Sequence, residues 1–227
     1  KVVMGDAPGY HEKTGVNLAV VGVGYWGKNL VRNFASLGVL SAVCDSNMDT
    51  LRALGEQYPQ CRTYVSYSDV LCDETIRAVA IATPAEGHAD GVREALLAGK
   101  DVFVEKPLCL SVKEGTELVA LAKKNDRILM VGHLLWYHPA VLKLKELIRA
   151  GELGRIQYIY SNRLNLGKIR REENILWSFA PHDISVILGL LNESPDGVRA
   201  QGGNYLHQHI ADVTISLLSF PSGVKAH

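Results

Sequence analysis

The sequence predicts an α/β protein in which a doubly wound sheet of parallel strands precedes a second α/β domain that contains antiparallel strands. Up to about Gly132, short apolar runs alternate with longer helical stretches, which is typical of βαβ units. These runs are nearly continuous, as expected of strands that helices cover on both faces. Beyond Gly132, apolar residues alternate with polar ones at Val213, Ile215 and Leu217, which indicates antiparallel strands with one covered face.

The elements of the first domain follow from these apolar runs and from the residues that end them. Its strands are predicted at residues 17–21, 39–44, 78–82, 101–104 and 128–131. Its helices are predicted at residues 26–37, 48–58, 87–98 and 111–125. Ser111 is the expected N-cap of the last of these helices, with Glu114 completing a capping box. Gly38 and Gly99 stand where helix C-termini need a positive φ.

The second domain is predicted to mix helices with antiparallel strands. A helix ends at Gly151, and a second helix lies near 182–191. The first helix is predicted at residues 139–150, an apolar segment follows at 156–164, and strand-like runs lie at 198–206 and 211–220. Pro221, Ser222 and Gly223 then predict a hairpin turn into a further strand at 224–226.

Three segments are expected along the chain. Residues 1–15 are a polar, glycine-rich, flexible lead-in without a signal-peptide pattern. Residues 16–135 are expected to form the first domain, and residues 136–227 are expected to form an incomplete second α/β domain. Because the chain ends where a strand should open, we expect it to be a C-terminally truncated piece of a longer protein.

Composition excludes several classes of protein. The 227 residues contain 24 Lys plus Arg and 24 Asp plus Glu, so no basic excess favours binding to nucleic acid or to anionic lipid. Every apolar run falls far short of the ~20 residues that cross a bilayer. The four cysteines form no metal-binding or redox pair, which favours a reducing, cytoplasmic compartment.

A glycine fingerprint connects the first strand to the first helix. Gly22, Gly24 and Gly27 have the G-x-G-x-x-G spacing, with Tyr25 and Trp26 between the last two. The first glycine allows the tight turn, the second lets backbone approach a pyrophosphate, and the third allows close helix–strand packing. The helix N-terminus adds amide donors for an anion. This pattern predicts a dinucleotide site.

An acidic residue ends the second strand at the position that the fingerprint requires. Asp45 lies 18 residues after Gly27, where a carboxylate accepts hydrogen bonds from the adenosine ribose. Ser46 and Asn47 follow instead of a cation that would hold a 2′-phosphate, which predicts NAD rather than NADP. The alternative is that Asp45 or Ser46 caps the next helix, a role that can coexist with ribose binding.

The tripeptide Glu105-Lys106-Pro107 follows the strand predicted at residues 101–104. A side chain at the carboxyl end of a parallel strand lies at the crevice where such sheets bind ligands. The Lys106 ammonium could hold a substrate hydroxyl or move a proton. The alternative is a solvent-exposed lysine that pairs with Glu105.

Four motifs in this order resemble one family, the Gfo/Idh/MocA oxidoreductases. They are Gly22-x-Gly24-x-x-Gly27, Thr83-Pro84 with His88, Glu105-Lys106-Pro107 and Gly132-His133. The resemblance covers nearly everything from Asn17 onward. It implies that residues 16–135 are an NAD-binding Rossmann domain and that residues 136–227 belong to an α/β domain with an open, mostly antiparallel sheet for substrate binding and oligomerisation. It further implies an NAD-dependent dehydrogenase that assembles into homo-oligomers in its full-length form. It implies cofactor contacts at the glycine fingerprint, Tyr25, Trp26, Asp45, Ser46, Thr83, Pro84, His88, Glu105 and Lys106.

The resemblance also implies a histidine in the second domain that serves as acid/base opposite Lys106. The segment Ala180-Pro181-His182-Asp183 matches that place, and the pKa of a histidine suits proton exchange near neutral pH. The alternative for His182 is a histidine at a helix start that the backbone satisfies. Relatives often have aspartate four residues earlier, whereas Ser178 stands here, which leaves the partner that orients His182 open. Relatives also often have arginine where Trp136 stands.

A basic segment resembles the branch of this family that acts on nucleotide-linked amino sugars. Arg163, Asn165 and Asn174, together with Tyr137, are the substrate-binding candidates that this resemblance implies. Lys168, Arg170 and Arg171 add positive charge in an otherwise neutral chain, and guanidinium groups match phosphate and carboxylate. A solvated basic loop is the alternative. His207 and His209 lack further ligands at suitable spacing, so we expect no metal.

These observations predict an NAD-dependent dehydrogenase that oxidises a secondary hydroxyl of a sugar. The expected position is C3 of a UDP-linked N-acetylated sugar or its uronate, with Lys106 positioning the hydroxyl and His182 taking its proton. An inositol or free-sugar dehydrogenase is the alternative enzyme. A non-catalytic, dinucleotide-binding sensor is the alternative from another class, because folds do not determine functions.

Overall fold

This computed structural model describes residues 15–164 and 174–227 of the chain. The chain divides into two compact units, Lys1–Gly132 (unit 1) and His133–His227 (unit 2). Within the two described stretches, every helix falls short of the length and apolar content that a membrane crossing needs.

Unit 1 contains a six-stranded parallel sheet, which confirms the predicted doubly wound fold. The strands lie in the order β3-β2-β1-β4-β5-β6. Their bounds are Leu18–Val21 (β1), Leu40–Cys44 (β2), Arg62–Tyr64 (β3), Ala78–Ile81 (β4), Asp101–Val104 (β5) and Leu129–Val131 (β6). Strand order reverses between β1 and β4, and ligands bind doubly wound sheets at the carboxyl ends of the strands flanking such a reversal.

Five helices connect these strands. They are Gly27–Ser36 (α1), Met48–Gln57 (α2), Tyr67–Cys72 (α3), His88–Leu97 (α4) and Val112–Lys124 (α5). The Ser111 hydroxyl accepts from Glu114 N at 3.5 Å, as its predicted capping role requires. Gly38 and Gly99 both have φ of +72°, also as predicted. Asn47 caps α2 in place of Asp45 or Ser46.

The sequence patterns did not predict β3 or α3. β3 has three residues, and two of them, Arg62 and Thr63, are exposed on the edge of the sheet. An edge strand this short and polar has no apolar run to reveal it.

The core of unit 1 lies on both faces of its sheet because neighbouring strand residues point to opposite sides. On β1, Ala19 and Val21 belong to one buried cluster, and Leu18 and Val20 belong to the other. Helices α4 and α5 contribute to the first cluster, and α1 and α2 contribute to the second. A fully buried valine such as Val20 contributes about 1.5–3 kcal/mol, so these layers hold the strand ends in place.

Unit 2 contains a four-stranded sheet in the order β7-β10-β9-β8. Only β10 and β7 are parallel, so the sheet is mostly antiparallel, as predicted. Its elements are Pro139–Arg149 (α6), Tyr158–Ile159 (β7), Ile175–Leu191 (α7), Gly197–Gly203 (β8), Val213–Ser219 (β9) and Lys225–Ala226 (β10). The predicted hairpin is present, with Phe220 N donating to Val224 O at 3.1 Å.

Two features of unit 2 differ from the prediction. Helix α7 begins at Ile175, well before residue 182, and contains Pro181 in its interior. The alternation in β9 is present, but Val213, Ile215 and Leu217 lie on the exposed face of the strand. The opposite face carries Leu218, which is buried in the cluster that includes residues of α7.

Candidate functional site

The glycine turn between β1 and α1 has two crowded positions and one open one. Gly22 has φ of +82°, and a Cβ there would lie 2.8 Å from Ala82 C. A Cβ on Gly27 would lie 1.9 Å from Gly22 O, so no other residue fits there without movement. A Cβ on Gly24 would meet nothing within 4 Å. The backbone at Gly24 therefore borders open space into which a pyrophosphate can approach.

Asp45 lies beside this turn at the end of β2. Its Oδ2 accepts from Val23 N and its Oδ1 accepts from Asn47 N, both at 2.8 Å. A carboxylate offers about four acceptor positions, so both oxygens keep capacity for ribose hydroxyls. Asp45 has no ion-pair partner among the residues that the structure describes. Ser46, next in the chain, is exposed.

Glu105 follows β5 and is only 9% exposed. The Trp26 indole Nε1 donates to Glu105 Oε1 at 2.6 Å, and Lys106 N donates to Oε2 at 3.3 Å. Burial raises the pKa of the Glu105 carboxyl, while the Trp26 hydrogen bond lowers it. A Cβ on Gly132 would lie 3.0 Å from Glu105 Oε2, so the glycine leaves room for this carboxylate. The Trp26 bond therefore ties the glycine turn to the Glu-Lys-Pro turn.

His88 begins α4 beneath the same edge of the sheet and is 2% exposed. Its Nδ1 lies 2.6 Å from Pro107 O, and its Nε2 lies 2.8 Å from Thr83 O. Both ring nitrogens are thus occupied by backbone carbonyls and not directed at a cofactor. Thr83 and the half-buried Lys106 belong to the two turns that His88 connects.

The chemistry of these residues fits a bound dinucleotide. Gly24 leaves open space at the helix N-terminus, and Asp45 presents acceptors beside it. Tyr25 is almost fully exposed, and Pro84 is exposed on the turn after β4. Trp26 is 41% exposed although its indole nitrogen is engaged with Glu105. These predicted residues all belong to the loops that follow β1, β2, β4 and β5.

In unit 2, His182 lies on α7, one turn after Ser178, which is buried. The Ser185 hydroxyl donates to His182 O at 2.8 Å. Asn174, a predicted substrate ligand, caps this helix, with its Oδ1 accepting from Trp177 N at 3.1 Å. Asn174 thus positions the helix that carries His182, and its carbonyl oxygen is already engaged.

Asp183, the neighbour of His182, points toward a separate polar cluster. Arg163 Nε lies 2.6 Å from Asp183 Oδ2, and Arg163 Nη2 lies 3.3 Å from Oδ1. The Ser161 hydroxyl donates to the same Oδ1 at 2.8 Å. The Arg163 guanidinium also lies over the Phe179 ring, 5.6 Å from its centroid. One edge of the Arg163 guanidinium is therefore paired with Asp183, although Arg163 was predicted to bind substrate.

A cavity of about 800 Å³ borders α7 on the Asp183 side. Seven α7 residues line it, and their spacing places them on one helical face. They are Ile175, Leu176, Phe179, Ala180, Asp183, Ile184 and Ile187. His182 does not line this cavity. Arg163 does, so the structure directs Arg163 and His182 to different sides of α7.

The remaining residues that were predicted for the second domain lie in different environments. Tyr137 is exposed at the end of the short 3-10 helix Leu134–Tyr137. Trp136 packs against α7 at Gly189, since a Cβ on that glycine would lie 1.6 Å from the indole. On the same residue, the Lys145 Nζ lies 3.9 Å from the Trp136 ring centroid. Asn165, Lys168, Arg170 and Arg171 lie outside the described residues.

Sequence reasoning missed four contacts that organise the candidate site. They are the Trp26–Glu105 hydrogen bond, the two carbonyl contacts of His88 and the Arg163–Asp183 pair. An aromatic N–H donor next to the last glycine of the fingerprint was the one available hint of the first.

Two family descriptions match the chain, one in each unit. "Oxidoreductase family, NAD-binding Rossmann fold" of the Gfo/Idh/MocA group matches residues 16–133. "GFO/IDH/MocA C-terminal domain" matches residues 141–227. Together they confirm the predicted family, the fold of the first domain and NAD as the cofactor.

Individual relatives are more distant. UDP-N-acetylglucosamine 3-dehydrogenase of Acidithiobacillus ferrooxidans is 28% identical over 193 residues, covering 85% of this chain and 58% of that protein. 2,7-Anhydro-N-acetylneuraminate hydratase of Escherichia coli is 27% identical, covering 93% of this chain and 60% of that protein. The chain thus spans about three-fifths of the length of these curated relatives.

One solved structure shows the shared fold. Scyllo-inositol dehydrogenase from Lactobacillus casei, solved with NAD(H) and scyllo-inositol, superposes with a TM-score of 0.83 at 20% sequence identity. The match covers 93% of this chain and 68% of that one.

Proposed function

The chain belongs to the Gfo/Idh/MocA oxidoreductase family, and from this premise we propose that the whole protein is an NAD-dependent dehydrogenase of a secondary alcohol in a sugar. One observation carries the proposal. The open backbone at Gly24 follows β1 and the Asp45 acceptors follow β2, beside the point where strand order reverses. Lys106 follows β5, which β4 separates from β1, at the same edge of the sheet. This position supports the proposal, because a lysine after β5 belongs to the loops where doubly wound sheets bind ligands and where a substrate hydroxyl needs polarising.

We assign the acid/base work to two residues on the basis of the family resemblance. Lys106 holds and polarises the substrate hydroxyl through its ammonium. His182 takes the hydroxyl proton, since a histidine exchanges protons near neutral pH. NAD, when bound, supplies the hydride acceptor. The protein's contribution is orientation: the Trp26–Glu105 hydrogen bond holds the turn that carries Lys106, and Asn174 caps the helix that carries His182.

The proposed preference for NAD over NADP rests on Asp45. A 2′-phosphate near its carboxylate would be repelled by roughly 1 kcal/mol in bulk water and about 4 kcal/mol at an effective dielectric of 20, for charges about 4 Å apart. Both Asp45 oxygens are fixed by backbone N–H donors, so the carboxylate cannot simply turn away.

We propose a UDP-linked N-acetylated sugar or its uronate, oxidised at C3, as the substrate. Support comes from the UDP-N-acetylglucosamine 3-dehydrogenase relative and from the basic side chains at residues 168, 170 and 171. One observation favours a second candidate, a neutral polyol or free sugar. The charge of Arg163, the described cation of this segment, is already matched by Asp183.

The proposed test measures substrate-dependent NADH formation by the full-length protein. The panel contains UDP-N-acetylglucosamine, its uronate, 2,7-anhydro-N-acetylneuraminate, inositols and glucose. We expect the protein to oxidise a UDP-sugar. This turnover should disappear in Lys106→Ala and persist in the matched control Lys113→Ala, on the exposed side of α5. Turnover of inositol or glucose alone would favour the second candidate. NAD binding without turnover of any compound would favour the non-catalytic sensor.

We also propose that the full-length protein is a homo-oligomer. Support comes from the exposed face of β9, where Ile215 is 67% exposed and lies between the exposed Val213 and Leu217. A contiguous apolar strip of this kind is typical of an interaction surface. Light scattering coupled to gel filtration should give a multiple of the protomer mass, and Ile215→Lys should lower it.

A further inference from the structure

The two carbonyl contacts of His88 pose a hydrogen-bonding problem. Its Nδ1 and Nε2 lie 2.6 and 2.8 Å from the carbonyl oxygens of Pro107 and Thr83. The 2.8 Å distance lies within the range of N–H···O hydrogen bonds, and the 2.6 Å distance lies just below its lower end. The two carbonyls belong to different turns: one follows β4, and the other carries Lys106 after β5. His88 is the side chain that connects them.

A backbone carbonyl accepts hydrogen bonds and cannot donate them. A neutral imidazole carries one N–H and one lone pair, so it can satisfy only one of two carbonyls. In either neutral tautomer, the second contact would set a nitrogen lone pair against an oxygen lone pair. At 2.6 or 2.8 Å, and with His88 only 2% exposed, no water intervenes to relieve that repulsion. Two N–H donors, as in the imidazolium, satisfy both contacts.

A buried imidazolium needs compensating negative charge. Glu105, also buried, interacts electrostatically with both His88 and Lys106. On the segment that carries His88 itself, Glu86 and Asp90 are exposed to solvent. Glu105 is therefore the buried anion next to His88, and the carbonyl dipoles of Thr83 and Pro107 add partial negative charge at the two ring nitrogens.

We propose that His88 is held as an imidazolium that clamps the Thr83-Pro84 turn to the Lys106-Pro107 turn, which makes it a positioning residue for the cofactor site. With only one proton on the ring, one of the two turns would lack its N–H donor. Loss of this clamp should therefore weaken NAD affinity.

The first experiment reads the protonation of the ring directly. Long-range ¹H–¹⁵N correlation spectra of the ¹⁵N-labelled full-length protein separate protonated from unprotonated imidazole nitrogens. The signals of His88 are assigned by their loss in His88→Gln, with His209→Gln, at an exposed position, as the matched control. At neutral pH we expect both ring nitrogens of His88 to be protonated. One protonated and one unprotonated nitrogen would overturn the proposal. If His88→Gln does not fold, through-bond correlation of the ring to the His88 backbone gives the same assignment in the unmodified protein.

The second experiment measures the dissociation constant of NAD at neutral pH by calorimetry. The unmodified protein and His209→Gln should give the same constant. His88→Gln should bind NAD several-fold more weakly. An unchanged dissociation constant in His88→Gln would show that His88 does not position the cofactor site. Because neither experiment contains a sugar, their failure is distinguishable from failure of the proposed dehydrogenase activity.

Discussion

Replacing Trp26 with phenylalanine isolates one hydrogen bond of the site. The substitution keeps the aromatic ring but removes the N–H that donates to Glu105 Oε1 at 2.6 Å. Hydrogen bonds to charged groups contribute about 1.5–3 kcal/mol. Trp26 is 41% exposed, so water can replace part of the bond, and we expect about 1.5 kcal/mol. For a chain of this size, each kcal/mol shifts Tm by roughly 2–4 °C, which gives a fall of about 3–6 °C.

The loss of stability should depend on pH in a defined direction. Burial already raises the pKa of the Glu105 carboxyl, and the Trp26 hydrogen bond opposes that rise. Without the bond, the pKa in the folded protein rises further while the pKa in the unfolded chain is unchanged. The Glu105 carboxyl then binds its proton more tightly in the folded variant than in the folded parent. The stability gap between parent and variant should therefore be small at acidic pH and widen as pH rises through the pKa of Glu105.

The assay is thermal unfolding of the full-length protein at a series of pH values. Trp177→Phe is the matched control, because Trp177 is 39% exposed and its indole makes no hydrogen bond among the described residues. A Trp26→Phe protein that loses the same stability at every pH, or no more than Trp177→Phe, would refute the reasoning. The 2.6 Å contact would then contribute packing alone.

Three further predictions concern the cofactor, the proton transfer and the polar cluster. The unmodified protein should prefer NAD over NADP by about 1–3 kcal/mol, or roughly 5–150-fold, and Asp45→Ala should narrow that gap; equal affinities in the parent would contradict the role of Asp45. Lys106→Ala and His182→Ala should each lower turnover by roughly 10²–10⁴-fold while NAD affinity changes little; near-normal turnover of His182→Ala would make that histidine structural. If Arg163 is structural, Arg163→Ala and Asp183→Asn should lower Tm alike and couple by about 0.5–1 kcal/mol in a double-mutant cycle; a higher KM for a charged substrate in Arg163→Ala alone would instead favour a substrate contact.

Local rules predicted much of the backbone geometry of the candidate cofactor site. The positive φ of Gly22, the crowding at Gly27 and the position of Asp45 all follow from spacing within one βαβ unit. The cap at Ser111 needed only four neighbouring residues to be recognised. Each of these features depends on residues that are close in the chain or on the backbone geometry of one turn.

The missed features depend on distant partners. The Trp26–Glu105 bond joins residues 79 positions apart, and the Arg163–Asp183 bonds join residues 20 apart. Spacing cannot indicate which of several polar side chains will meet after the strands assemble. The exposed apolar face of β9 has a related cause: alternation identifies the two faces of a strand, but not which of them packs against α7.

The central position of β1 has a consequence for how the site comes into being. β1 pairs with β2 and also with β4, where Leu18 lies opposite Ala78, 60 positions away in the chain. Parallel pairing of such distant segments closes long loops, and the chain loses conformational entropy before the contacts between strands can offset that loss. This slows folding. The loops after β1, β2, β4 and β5 meet only once these strands are aligned. During synthesis, the chain must therefore extend beyond β5 before the glycine turn acquires Glu105 as its partner.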